Sequence, residues 1–160
     1  MFLLHGIKIM KASKSVHSAF IMVRHIGIAI GVLPVNFPNV SKMSFRTVDD
    51  EKIQFSGYGG CKKINADTGK FYRPFIVLNL ANMQSMNDII AVLAHEMLHV
   101  KQTFLNDEGA NHNNKFRKDC ANFAEALGLT YYHVNGYDKP SLRAFMARQA
   151  KALQSFKAQA

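Results

Sequence analysis

A chain of 160 residues, 48% of them hydrophobic, has the length of one ordinary domain and enough apolar material for a single sizeable core. That composition excludes a disordered chain. Two cysteines, Cys61 and Cys120, stand far apart with no C-x-x-C between them, which excludes a disulfide framework and fits a reducing compartment. The formal net charge is +9 and the pI about 9.7. Residues 1–75 hold 11 Lys/Arg against 4 Asp/Glu, whereas residues 76–160 hold 9 against 7. Residues 139–160 carry Lys139, Arg143, Arg148, Lys151 and Lys157 with no acid. Such a balance favours polyanionic partners such as nucleic acid or an acidic membrane surface, and the plainer reading is a solvated surface that is merely cationic.

In chain order, Ser13 or Ser15 caps a first helix with Val16, Phe20, Val23, Ile26 and Ile30 on one side, stopped by Gly31 and Pro34. Residues 20–33 are apolar but interrupted by Arg24 and His25, and the run is too short to span a bilayer. Residues 1–10 lack a small-residue cleavage site, so no signal peptide is expected. A cytoplasmic, monomeric protein with no membrane segment is expected. Residues 43–48 and 52–58 alternate as strands do. The glycines of Gly57-Tyr58-Gly59-Gly60 signal a bend or a close backbone approach. Residues 65–69 form a turn, and residues 71–80, rich in aromatic and branched side chains, form a third strand of an antiparallel meander.

Ser85 and Asp88 have the spacing of a capping box. The helix they open runs to about Phe104 and is apolar nearly all round, as a helix buried in the middle of a domain is. A second helix runs from near Asn111 to Gly128 with Phe116, Cys120, Phe123 and Leu127 as its apolar stripe. Residues 131–134 read as a short strand. A last helix from about Pro140 is expected to bury Leu142, Phe145, Met146, Leu153 and Phe156. There is no internal repeat and no linker, so residues 1–160 are expected to form one α+β domain.

Within the buried helix stands His95-Glu96-Met97-Leu98-His99. Residues four apart on a helix lie about 40° round and about 6 Å along from each other, so both imidazoles reach one metal ion. Glu96 projects beside them, where it can take a proton from a zinc-activated water and pass it to a leaving amine. A chain of this composition holds this pattern by chance roughly 0.007 times. Histidines satisfied by hydrogen bonds in a core are the plainer reading. Two imidazoles and a carboxylate on one apolar helix make it a costly one.

A catalytic zinc needs a third protein ligand and an open position. Asp107, Glu108, His112, Asp119 and Glu125 are the downstream candidates. His112 extends the stripe of the second helix inward from its start and is favoured. Asp119 lies off the stripe, Glu125 flanks it, and Asp107 and Glu108 sit in a turn composition. The metzincin spacing is absent, because Gln102 and Leu105 stand where it needs Gly and His. His5, His17, His25 and His133 have no ligand spacing and read as surface or satisfied histidines. Cys120 reads as core, while Tyr131 and Tyr132 serve packing or an oxyanion equally well.

Residues 89–127 resemble the SprT-like metalloprotease family. The resemblance rests on His95-Glu96-Met97-Leu98-His99, a gap of twelve residues, then His112 opening a helix with Phe116 four residues on. Phe75-Ile76-Val77-Leu78-Asn79 also looks like the family's strand before the active helix. The family usually has Gly after the third histidine, where this chain has Asn113, and its longer members carry a zinc ribbon or DNA-binding tail that this sequence lacks. The resemblance implies a zincin-like fold: a small antiparallel sheet on a central H-E-x-x-H helix with flanking helices. It further implies one Zn²⁺ on His95, His99 and His112, Glu96 as base, and protein or peptide substrates associated with DNA. An extended substrate would lie along a sheet edge near residues 71–80.

Two other readings compete. Peptide deformylases pair H-E-x-x-H with an upstream cysteine, a part Cys61 could fill, but they carry an acid where this chain has Leu98. A zinc-stabilised nucleic-acid-binding module without catalysis fits the basic charge, with Arg143, Arg148 and Lys151 on phosphates, but it leaves Glu96 without a task.

Overall fold

A computed structural model describes residues 9–63, 72–136 and 140–159. It is an α+β structure with a small mixed four-stranded sheet, against which the helix bearing His95 and His99 packs through the last two strands in chain order. The strands are β1 (Met10–Lys11), β2 (Ser44–Val48), β3 (Gly57–Lys63) and β4 (Tyr72–Asn79), in the order β1-β2-β4-β3. The helices are α1 (Lys14–Ala29), α2 (Met86–Val100), α3 (Asn114–Leu127), α4 (Tyr131–Asn135) and α5 (Pro140–Gln159). The expected turn at residues 65–69 lies outside the described residues. None of the described helices is long and apolar enough to cross a membrane.

The expected antiparallel meander is corrected. β4 enters between its predecessors, parallel to β2 with Ser44 opposite Phe75 and Val48 opposite Asn79, and antiparallel to β3 with Gly57 opposite Leu78. The stretch expected as a strand at residues 52–58 is mostly loop, and β3 starts only at Gly57. Two buried amides explain why. Asn79 Nδ2 donates to the carbonyls of Asp50 (2.9 Å) and Ile53 (3.2 Å), and Asn82 Nδ2 donates to those of Ile53 (3.0 Å) and Phe55 (2.8 Å). Those carbonyls are thereby satisfied by side chains instead of a ladder. The loop carries the chain past β4, and β3 becomes an outer strand of the sheet.

α1 opens at Ser13, whose Oγ accepts from Val16 N–H. It buries Val16, Phe20 and Val23 as expected, while Ile30 at its end is exposed. α2 lies between the sheet and the other helices, with Leu93, Ala94, Met97, Leu98 and Val100 inaccessible or nearly so. Ser85 Oγ accepts from Asp88 N–H, and Asp88 Oδ2 accepts from Gln84 N–H at 2.9 Å, one residue before the position a strict capping box uses. The helix does not run to Phe104 as an α-helix. At Lys101–Leu105 it widens into a π-helical turn, closed by Asn106 N–H on the Lys101 carbonyl at 3.0 Å. Lys101 Nζ, 2.8 Å from both Asp119 Oδ2 and the Val32 carbonyl, ties that turn to α3 and to the segment after α1.

α3 begins at Asn114, capped by Asn113 Oδ1 on Phe116 N–H at 2.9 Å, and buries Phe116, Cys120 and Phe123. Residues 131–134 form a turn of helix, not a strand. Thr130 Oγ1 caps His133 N–H at one end, and Gly136 at φ 87° stops the other. The buried stripe expected on α5 is also corrected. Met146, Leu153 and Phe156 are 61%, 54% and 71% exposed, and the side chains of Leu142 and Phe145 lie outside the described residues. α5 instead meets the body at the 3₁₀ turn Leu80–Asn82, where Arg148 Nη1 donates to the Ala81 carbonyl at 3.0 Å.

The sheet approaches α2 so closely that β3 needs glycine. A Cβ on Gly59 would stand 2.8 Å from Glu96 Cβ and 2.9 Å from the Glu96 backbone oxygen, whereas one on Gly109 would meet nothing within 4 Å. Gly59→Ala must push strand and helix apart, at a cost of about 1–3 kcal/mol. Urea denaturation should show that loss, with Gly109→Ala close to wild type. Equal stabilities would mean that β3 and α2 are not so tightly apposed.

Candidate metal centre

α2 presents His95 and His99 one turn apart on one face, and the chain before α3 brings His112 to them. His99 Nε2 lies 3.2 Å from His95 Nε2 and 3.2 Å from His112 Nε2. The ligand atoms of all three lie within 4.8 Å of one another, and this is the one group of three or more His, Cys, Asp or Glu side chains so placed among the described residues. Ligands about 2.05 Å from a tetrahedral zinc stand about 3.3 Å apart, which the two short separations match.

The hydrogen bonds behind the rings decide what those nitrogens are. His95 Nδ1 is 2.8 Å from the Val134 carbonyl, an acceptor only, so Nδ1 carries the proton. His99 Nδ1 is 2.9 Å from Gln102 Oε1. The Gln102 amide is oriented by its other end, since Nε2 donates to the Asn111 carbonyl at 2.9 Å. His99 Nδ1 therefore carries its proton too. Both Nε2 atoms are then bare lone pairs facing each other at 3.2 Å, an arrangement that a shared cation relieves. Burial, followed by the neighbouring His99 charge, takes His95 down to about 4, and burial lowers His99 as well, so a proton is a poor candidate for that cation near neutrality. The donor set suits a metal such as zinc.

Phe116 fixes the three rings from below. It is 2% exposed, stacks on His99 with centroids 4.6 Å apart, and touches His95 and His112 edge-on or tilted at 5.0 and 5.1 Å. Glu96 is 6% exposed and faces β3, where its carboxylate accepts the Gly59 N–H. Burial outweighs that hydrogen bond and pushes the carboxyl up to about 8 in the metal-free protein.

The remaining candidates fall elsewhere. Asp119 pairs with Lys101, Glu125 and Glu108 are exposed, and Asp107 occupies a left-handed turn position at φ 51°. Cys61 Sγ donates to the Thr103 carbonyl at 3.2 Å and is not among the clustered ligand atoms. Cys120 is core, its thiol pushed up to about 12 by burial and by Asp119. Arg143, Arg148 and Lys151 all lie on α5. Arg148 is half-buried with Glu51 3.8 Å away, Lys151 is exposed, and the side chain of Arg143 lies outside the described residues. Sequence reasoning missed Gln102 as the partner of His99 and the Val134 carbonyl as the partner of His95. A polar residue three after His99 was a usable signal for the first; a backbone carbonyl leaves none.

No protein-family model, curated protein or solved structure matches this chain. The chemistry is therefore argued from the site alone. Removing one of three convergent donors should abolish tight binding, so His112→Ala is expected to lose most of the zinc that the wild type holds after dialysis, read by metal analysis. Full occupancy in that variant would exclude His112 as a ligand.

Proposed function

We propose that this chain is a zinc-dependent endopeptidase of the SprT-like, zincin kind. The observation that carries the reading is the convergence of His95, His99 and His112 on one point, with the protons of His95 and His99 held on their far nitrogens and Glu96 next to them in the chain. His95, His99 and His112 would hold the ion. Zinc bound there supplies Lewis acidity, making water a usable nucleophile at neutral pH and polarising a carbonyl. Glu96 takes the proton from the attacking water and hands it to the leaving amine. A cation bound beside it would favour the ionised carboxylate that the first transfer needs, against the burial that favours the protonated form.

Substrate would lie as an extended segment along β3. The expectation had placed it near residues 71–80, but β4 is interior to the sheet, and β3 is the outer strand next to α2. Strand addition uses backbone hydrogen bonds, which many side chains permit, so unfolded protein segments are the substrate class. The deformylase reading loses its distinctive ligand, since Cys61 lies outside the cluster. A purely structural zinc site would leave Glu96 a buried carboxylate with no task.

Glu96→Gln keeps the size of the side chain and removes the base. It should retain zinc and fold while losing hydrolysis of an unfolded protein by on the order of 10²-fold or more. A zinc-loaded Gln variant as active as wild type would leave the proton transfers to another group, and a zinc-loaded wild type inert on every unfolded substrate would favour the non-catalytic module.

Coupling to DNA is the second part of the proposal. Residues 149–158 of α5 are exposed and include Lys151 and Lys157 without an acid. Cations so placed bind phosphates without reading sequence and lose affinity steeply with salt. A DNA titration at low and moderate salt should show that dependence, weakened when Arg143, Arg148 and Lys151 are replaced together. No affinity at low salt would end the DNA reading and leave the peptidase reading intact.

A further inference from the structure

Asp88 is a fully buried carboxyl in the first turn of α2, and the proposed chemistry makes no use of it. It stands seven residues before His95, two helical turns away on the same face and about 10 Å along the axis. α4 lies across that face. At one end, His133 Nε2 is 2.8 Å from Asp88 Oδ1; at the other, the carbonyl of the next residue, Val134, is 2.8 Å from His95 Nδ1. Two neighbouring residues of α4 thus grip α2 at two points that bracket its first turns.

α4 is a helix of five residues, far too short to persist on its own. Its position comes from packing on α3 and α2, the Thr130 cap, the burial of Val134 and the Asp88–His133 contact. Val134 is in the last turn, so its carbonyl has no partner within the helix and is available to His95. That carbonyl is the group that keeps the proton on His95 Nδ1 and turns Nε2 toward the other two imidazoles. A displacement of α4 by an ångström would break this contact without touching any ligand.

We propose that Asp88 and His133 are positioning residues for the metal centre: their contact holds α4 so that the Val134 carbonyl fixes the tautomer and orientation of His95. The inference rests on the reading of His95 as a ligand. A role in stability alone is the alternative, and two readouts separate them. The first is the ¹⁵N spectrum of the His95 ring in metal-free protein, which reports the tautomer. The second is zinc affinity by competition with a chromophoric chelator. In wild type, His95 should be a single Nδ1–H tautomer. In His133→Ala it should become a mixture of tautomers, and zinc should bind about 10–100-fold more weakly, the usual loss when support behind a ligand is removed. His133→Gln, which still offers Asp88 an N–H, should recover part of both, and Asp88→Asn should resemble it. Val23→Ala, a cavity in α1, serves as a variant of lowered stability that leaves α4 alone.

An unchanged tautomer in His133→Ala and Asp88→Asn overturns the proposal. So does a zinc affinity that falls no further than in Val23→Ala. Should His133→Ala fail to fold, His133→Leu, which fills the space but offers Asp88 no N–H, gives the same two readouts. A wild type that binds no zinc sinks the metal reading instead, and the tautomer experiment still decides whether the contact governs His95.

Discussion

Two imidazole nitrogens without protons, held 3.2 Å apart inside a protein, are the constraint around which this structure is arranged. Lone pairs repel, and burial strengthens the repulsion by removing water. The rings cannot turn away, because each is fastened at its far nitrogen, His95 to a backbone carbonyl and His99 to a glutamine whose own orientation is fixed by a second carbonyl. Phe116 closes the remaining freedom by packing against all three rings.

The irregular parts of the fold supply these fastenings. An α-helix continued past Val100 would place Gln102 differently relative to His99. The π-helical turn sets the Gln102 side chain between His99 and the Asn111 carbonyl, so that one amide serves both a ligand and the segment leading to His112. Such turns recur at functional sites because they alter the direction of one or two side chains without ending a helix. α4 does the corresponding work for His95. On the far side of α2, the glycines of β3 let the strand approach until the Gly59 N–H meets the Glu96 carboxylate. Helix and strand are thus both committed to the site, and little of either is free to vary.

The parts legible in the sequence were those written in local spacing. The interval between His95 and His99, the stripe from Phe116 to Phe123, the cap residues Ser13 and Ser85, and the close approach at Gly57 to Gly60 all depend on neighbours within a turn or a strand pair. His112 was placed by extending a helical stripe, and it arrives at the cluster although the helix itself starts two residues later. The strand order was not legible, because residues 52–58 alternate like a strand while their carbonyls go to Asn79 and Asn82, some 25 residues on or more. Residues 131–134 misled in the same way: β-favouring side chains sit between a threonine cap and a glycine stop, and the caps prevail over propensity in so short a segment. The outward-facing apolar residues of α5 show that amphipathic periodicity states which face is alike, not that something covers it.

The same constraint ties metal to stability. Without an ion, the folded chain holds two facing lone pairs, a His95 whose pKa burial and the His99 charge depress to about 4, and a Glu96 whose pKa burial raises to about 8. Each of these shifts marks a charged form that burial at the site disfavours. The unfolded chain has none of these costs, since its imidazoles and carboxylate are solvated. A divalent cation would take up the lone pairs directly, keeping His95 unprotonated, and would stabilise the ionised carboxylate beside it. Binding energy spent in relieving those costs appears as folding free energy. The packing of Phe116, the amide of Gln102 and the docking of α4 hold an electrostatic conflict that an ion would resolve, and the same rigidity would keep three nitrogens in register around it.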